Sequence, residues 1–113
     1  MKAGELYLGK FPYGDVPGMK LRPLLLLTSP IGTIPEIVAA YISSITPAGL
    51  LNSDLVLDPT QPEFAGTNLK KLCVLRLHKL ATLHRSSLVR YLGKLSTSTE
   101  LLVAAKLRVL FGL

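Results

Sequence analysis

The sequence predicts a mainly β chain, a small antiparallel barrel or curled sheet with helices attached toward its C-terminal end. Three observations carry this. Five or so short apolar stretches follow one another closely, each cut off by proline or glycine. No helical pattern separates the early ones, which argues against parallel strands joined by crossover helices. Helix signals gather only after residue 85. At 113 residues the chain makes one domain, 1–113, able to bury a modest core.

Residues 5–11 read as a first strand, broken by Pro12, Gly14, Pro17 and Gly18. Pro23 can begin the next strand, because proline is tolerated at a strand's first position. Residues 24–27 are then apolar at consecutive positions, as in a strand buried on both faces. Residues 37–42 form another buried strand, which delivers Ser43 and Ser44 at its end. Residues 54–58 make a short strand, and 59–68 a longer connection. Residues 72–78 alternate, with Cys73, Leu75 and Leu77 facing inward and Arg76 and His78 sharing the other face.

Two helical segments follow. Ser86 can cap a short helix through Leu92, closed by Gly93. Thr97, Ser98, Thr99 and Glu100 read as a capping box. The helix beyond it, residues 101–111, has only Lys106 and Arg108 as polar residues, two positions apart and so on nearly opposite sides. That leaves an apolar stripe suited to a second subunit.

The net charge of +6 is uneven. Between Phe64 and Thr99 there is no acidic residue, while Lys70, Lys71, Arg76, Lys79, Arg85, Arg90 and Lys94 all fall there. This suits an anionic partner such as RNA, DNA or an acidic protein segment, although a solvated basic face has the same composition. With 49% hydrophobic residues the chain is not disordered. Cys73 is the sole cysteine, which excludes an internal disulfide and a cysteine metal cluster. The first residues are mixed and charged rather than a signal peptide's apolar region. No apolar run approaches the roughly 20 residues of a bilayer span, so no membrane is expected and the expected location is the cytoplasm.

Arg22 is the first candidate for chemistry. It stands at the junction of a Gly/Pro-rich loop and a strand, where a rigid scaffold can aim a permanently charged, planar guanidinium at a phosphate. Cleavage of RNA by its own 2′-hydroxyl passes through a crowded phosphorane with extra negative charge, which such a group can stabilise. Read without a ligand, the same arginine caps a strand edge or pairs with Asp15. Ser43, at a strand end, can donate to a phosphate oxygen or position the attacking group; equally, it simply ends a strand. Lys20, Ser44, Arg76, Lys79 and Arg85 can contact an RNA backbone without reading sequence. Tyr13 can stack on an unpaired base. His78 and His84 have the right proton affinity for transfer near neutral pH, but surface histidine is the default for both. Two histidines six apart, with no thiol pair or carboxylate cluster, supply too few ligands for a metal.

The sequence resembles the PemK/MazF-like toxins of bacterial toxin–antitoxin pairs. Residues 4–13, GELYLGKFPY, and the step RPLLL at 22–26 match the pattern G-[D/E]-[I/L]-[Y/W]-x-x-x-F-P-[F/Y], a short loop, then R-P-x-[L/V]-[V/L]. Residues 38–44, VAAYISS, resemble the strand that ends in a hydroxyl residue, with Ser43 where threonine is usual. Residues 72–83, LCVLRLHKLATL, resemble S-V-[I/V]-R-L-D-K-L-x-T-[L/I], and 90–95, RYLGKL, the step before the last helix. The resemblance implies an SH3-like antiparallel barrel with a short helix and a C-terminal helix. It further implies a homodimer that cleaves single-stranded RNA without metal or other cofactor and is held inactive by a cognate antitoxin with an acidic tail. On that analogy Arg22 stabilises the transition state and Ser43 assists at the scissile phosphate. Three positions depart from the pattern: serine at 43, histidine for an acid at 78, and Cys73 for serine. Two other functions fit the same barrel: a non-catalytic module that binds antitoxin or RNA, and a gyrase-inhibiting toxin.

Overall fold

The computed structural model describes residues 1–12 and 19–113. Six strands run β1 (Glu5–Pro12), β2 (Met19–Leu26), β3 (Glu36–Ser43), β4 (Asp54–Leu57), β5 (Cys73–His84) and β6 (Leu88–Lys94), followed by one helix, α1 (Thr97–Phe111). All pairings are antiparallel, in the order β4-β5-β3-β2-β1-β6. Among the described residues no helix is long and apolar enough to cross a membrane.

Strand periodicity divides the apolar residues between two cores. Leu6, Leu25, Ala40, Ile42, Leu57, Leu75 and Leu77 form one, closed by Leu95 and by Val103 of α1. Phe11, Leu24, Leu26, Ile37, Ala39, Tyr41 and Leu83 form the other. The run at 24–27 is therefore apolar without alternation because successive leucines serve opposite faces. Each fully buried leucine contributes roughly 1.5–3 kcal/mol by leaving water.

Four sequence expectations are corrected. The segment after Ser86 is not a helix. Arg85–Ser87 makes one 3-10 turn, and Leu88–Lys94 is strand β6, paired with β1 from Glu5 opposite Lys94 to Gly9 opposite Leu88. Gly93 is there for close approach rather than as a helix stop: a Cβ on it would lie 2.1 Å from the Gly66 carbonyl oxygen. Gly66 belongs to the second correction, since the connection after Pro59 contains a 3-10 helix, Pro62–Thr67, that covers part of the β6 edge. Asn68, in the left-handed region at φ 56°, seals this contact by donating its side-chain amide to the Leu92 carbonyl at 2.7 Å.

Third, Pro23 does not begin β2. It pairs with Leu8 in the strand's interior, one residue before the ladder to β3 opens at Leu24, where its missing N–H has no β3 partner to lose. Fourth, α1 is capped one residue earlier than the box at Thr97. The Ser96 hydroxyl accepts from the Thr99 N–H at 3.2 Å. The reciprocal carboxylate comes from elsewhere: Glu63 accepts from the hydroxyls of Ser96, Ser98 and Thr99.

The uncovered apolar surface foreseen on α1 is present, spread over several sides of the helix. Thr99 and Val103 are buried, whereas Leu101, Val109 and Phe111 are exposed at 68%, 77% and 57%. Cys73 lies in the core, where burial pushes its thiol pKa up.

Candidate active site

The site is built on β2, β3 and β5. β3 is flanked by the other two, with Leu24 of β2 opposite Tyr41 and Arg76 of β5 opposite Tyr41 on the far side. Carrying the β2–β3 register on by two residues sets Arg22 level with Ser43. Because side chains alternate, Arg22 shares a face with Leu24, and Ser43 shares that face with Tyr41. Arg22 therefore stands inside β2, opposite Gly9, rather than at the loop–strand junction the sequence suggests, and Ser43 ends the neighbouring strand β3 on the same face.

Tyr41 is the centre of this face. It is 7% exposed, and its ring packs against Phe11 with centroids 5.3 Å apart at 40°. The Arg22 guanidinium carbon lies 5.7 Å from the Tyr41 centroid, and the Lys79 Nζ 5.5 Å from the same point. Both distances are within the range of cation–π attraction. Lys79 arrives through an irregularity in β5. Between Arg76, opposite Tyr41, and Leu80, opposite Ala40, three residues are inserted. Such a bulge bends the strand and re-aims a side chain.

Arg76 is only partly exposed and holds an inner position. Its Nε donates to Asp54 Oδ1 at 2.7 Å, with side-chain exposures of 15% for Arg76 and 0% for Asp54. The other Asp54 oxygen accepts from the Leu51 N–H at 2.8 Å. A guanidinium expected to meet RNA backbone therefore commits one donor to pinning β5 to β4 and the turn before it. Its fork carries further donors for an anion.

Ser43 is 8% exposed. Its hydroxyl donates to the Ile45 carbonyl at 3.0 Å and accepts from the Ile45 N–H at 3.1 Å. A hydroxyl has one proton and two lone pairs, so donating to a phosphate requires rotation away from that carbonyl. Ser44 beside it is half-buried. His78 and Lys79 are exposed, and His84 caps the 3-10 turn by accepting from the Ser86 N–H at 3.0 Å. Tyr13 lies outside the described residues, as does the Lys20 side chain. Among the described residues, no three His, Cys, Asp or Glu side chains gather in one place.

Sequence reasoning missed two members of this site. Tyr41 reads as core or interface; its place two residues before Ser43, hence on the same face, is the available signal. Asp54 reads only as the start of a strand, and no local pattern links it to Arg76, twenty-two positions away.

Solved structures share this architecture. The toxin MazF-mt6 of Mycobacterium tuberculosis superposes with a TM-score of 0.73 at 22% identity, over 96% of this chain and 97% of the toxin. A mycobacterial endoribonuclease in complex with its cognate antitoxin gives 0.67 at 19% identity, over 100% of this chain and 96% of that one. A second mycobacterial endoribonuclease gives 0.69 at 18%, over 100% and 92%. The fold is that of the MazF toxins. The barrel and C-terminal helix expected from the sequence are therefore found. No protein-family model and no curated protein matches the sequence.

Proposed function

We propose that this chain, as a single domain, is a metal-independent endoribonuclease, the toxin component of a toxin–antitoxin pair, cleaving single-stranded messenger RNA in the cytoplasm. The observation that carries the reading is the convergence of Arg22, Lys79 and Arg76 around Tyr41, with Ser43 at the adjacent strand end. A face with several cations and one buried carboxylate among them suits a phosphodiester.

In this scheme the 2′-oxygen of a nucleotide attacks its own 3′-phosphorus, and the bond to the 5′-oxygen breaks. The 2′-hydroxyl gives up its proton to solvent, the leaving 5′-oxygen takes one from solvent, and a 2′,3′-cyclic phosphate remains. The planar fork of Arg22 donates to the non-bridging oxygens as their charge grows, at little cost in reorganisation. Ser43 turns its hydroxyl from Ile45 to the same phosphate. Lys20, Ser44, Arg76 and Lys79 hold flanking phosphates, and Tyr13 stacks on a base.

Partners follow from two further features. The basic run from Lys70 to Lys94 suits the acidic tail of an antitoxin, and the exposed leucines, valine and phenylalanine of α1 suit a homodimer contact. One solved relative in fold is an endoribonuclease bound to its antitoxin.

Incubation of the purified protein with mixed-sequence RNA in EDTA tests the proposal. Cleavage is expected, with Arg22→Ala slower by about 10²–10³-fold, the loss typical of a transition-state oxyanion donor. A second reading, a toxin-fold binding module without catalysis, draws on the engagement of the Ser43 hydroxyl by Ile45. RNA left intact at high protein concentration, but bound, would favour that module.

A further inference from the structure

We propose that Tyr41 is a positioning residue: its ring fixes Arg22 and Lys79 together, so that one phosphate meets two oriented cations. This inference rests on the nuclease reading and adds to it a residue that touches no substrate. Three observations lead to it. First, the Arg22 guanidinium and the Lys79 ammonium both lie within the roughly 6 Å of one aromatic centroid at which a ring attracts cations. The two cations reach this ring from the strands on either side of β3, and the negative charge of the ring's faces attracts each of them.

Second, the platform is itself fixed. Tyr41 is 7% exposed, packs on Phe11, and sits on a strand paired along both edges. Arginine and lysine side chains carry many rotamers, and a fixed aromatic surface removes much of that freedom before substrate arrives. Third, the β5 bulge serves this placement. Had the pairing of Arg76 with Tyr41 continued regularly, Lys79 would stand level with Val38, three residues along β3. The inserted residues return it to Tyr41.

Graded fluorination tests the claim with only a small change in side-chain size. Tyr41→Phe serves as the reference, and phenylalanine analogues with two and then three ring fluorines replace it, each drawing electron density from the ring face. Single-turnover cleavage of RNA in EDTA is expected to fall at each step, by about tenfold across the series, as cation–π attraction weakens. Tyr41→Leu should fall below Tyr41→Phe. In the Lys79→Gln background the dependence on fluorine should become shallower. A rate that ignores fluorination overturns the positioning role while leaving the nuclease intact, and an unchanged slope in Lys79→Gln overturns the two-cation arrangement. If the wild type cuts no RNA, the nuclease reading fails separately. The same series is then read as affinity for a 2′-O-methyl oligonucleotide, which cannot be cleaved. A graded loss of affinity supports the role of Tyr41, and a flat series or no binding overturns it.

Discussion

Two polar clusters in this chain use charge in opposite ways. At the start of α1, one carboxylate, Glu63, is surrounded by neutral donors: the hydroxyls of Ser96, Ser98 and Thr99 all point to it. These hydrogen bonds hold its carboxyl pKa down, at about 2. On the β2–β3–β5 face, Arg76 pairs with one buried carboxylate, while Arg22 and Lys79 lie against one aromatic ring. The first cluster satisfies its own charge and joins the 3-10 helix at Pro62–Thr67 to α1. The second keeps an excess of positive charge beside the end of β3. A balanced cluster holds the fold, and an unbalanced one can hold an anion.

Substitutions can break or sharpen this contrast. The largest structural effect is expected at Asp54, the acid that pairs with Arg76 on the cationic face. Asp54→Ala leaves Arg76 half-buried without its carboxylate and also releases the Leu51 N–H, at a cost of about 3 kcal/mol in urea unfolding. Loss of much less would mean that the pair is not a structural clamp. Next comes Ser43→Ala. Losing a hydroxyl that donates to phosphate should slow RNA cleavage by about tenfold, the worth of one good hydrogen bond. Ser43→Thr, which restores a restricted rotamer, should retain activity better than alanine. Equal rates for wild type and Ser43→Ala would assign the hydroxyl to the Ile45 turn alone.

The smallest effect belongs to Glu63. Its carboxyl pKa lies below the ordinary value of 4.5, so its contribution to stability is present above pH 4.5 and is lost as pH falls toward about 2. Glu63→Gln should flatten the acid limb of stability against pH in that window, followed by the helical signal of α1. An acid limb identical to wild type would show that the hydroxyl cluster is not coupled to folding.

Much of the architecture is legible in the residues. Apolar runs cut by proline and glycine locate the early strands, because burial demands the former and turns demand the latter. The segment after Ser86 deceives for a physical reason. A serine before and a glycine after an apolar run imitate helix caps, whereas Gly93 is needed by the 3-10 helix carbonyl that approaches it. Cross-strand facts are less accessible. The alternation in LRLHKL breaks at His78 and Lys79, two polar residues in succession, but that break alone does not announce that Lys79 returns to Tyr41. Arg22 and Ser43 stand out by motif, and their common face follows from a register that only pairing reveals.

The central claim is that the Arg22 face stabilises attack by a ribose 2′-oxygen, and the ends of the product RNA test it most directly. Mass spectrometry of fragments formed in EDTA should show 2′,3′-cyclic phosphate and 5′-hydroxyl termini. A matched substrate with a single 2′-deoxy nucleotide at the cut position should remain whole. Fragments ending in 5′-phosphate, or cleavage of the deoxy-substituted substrate, would contradict the account.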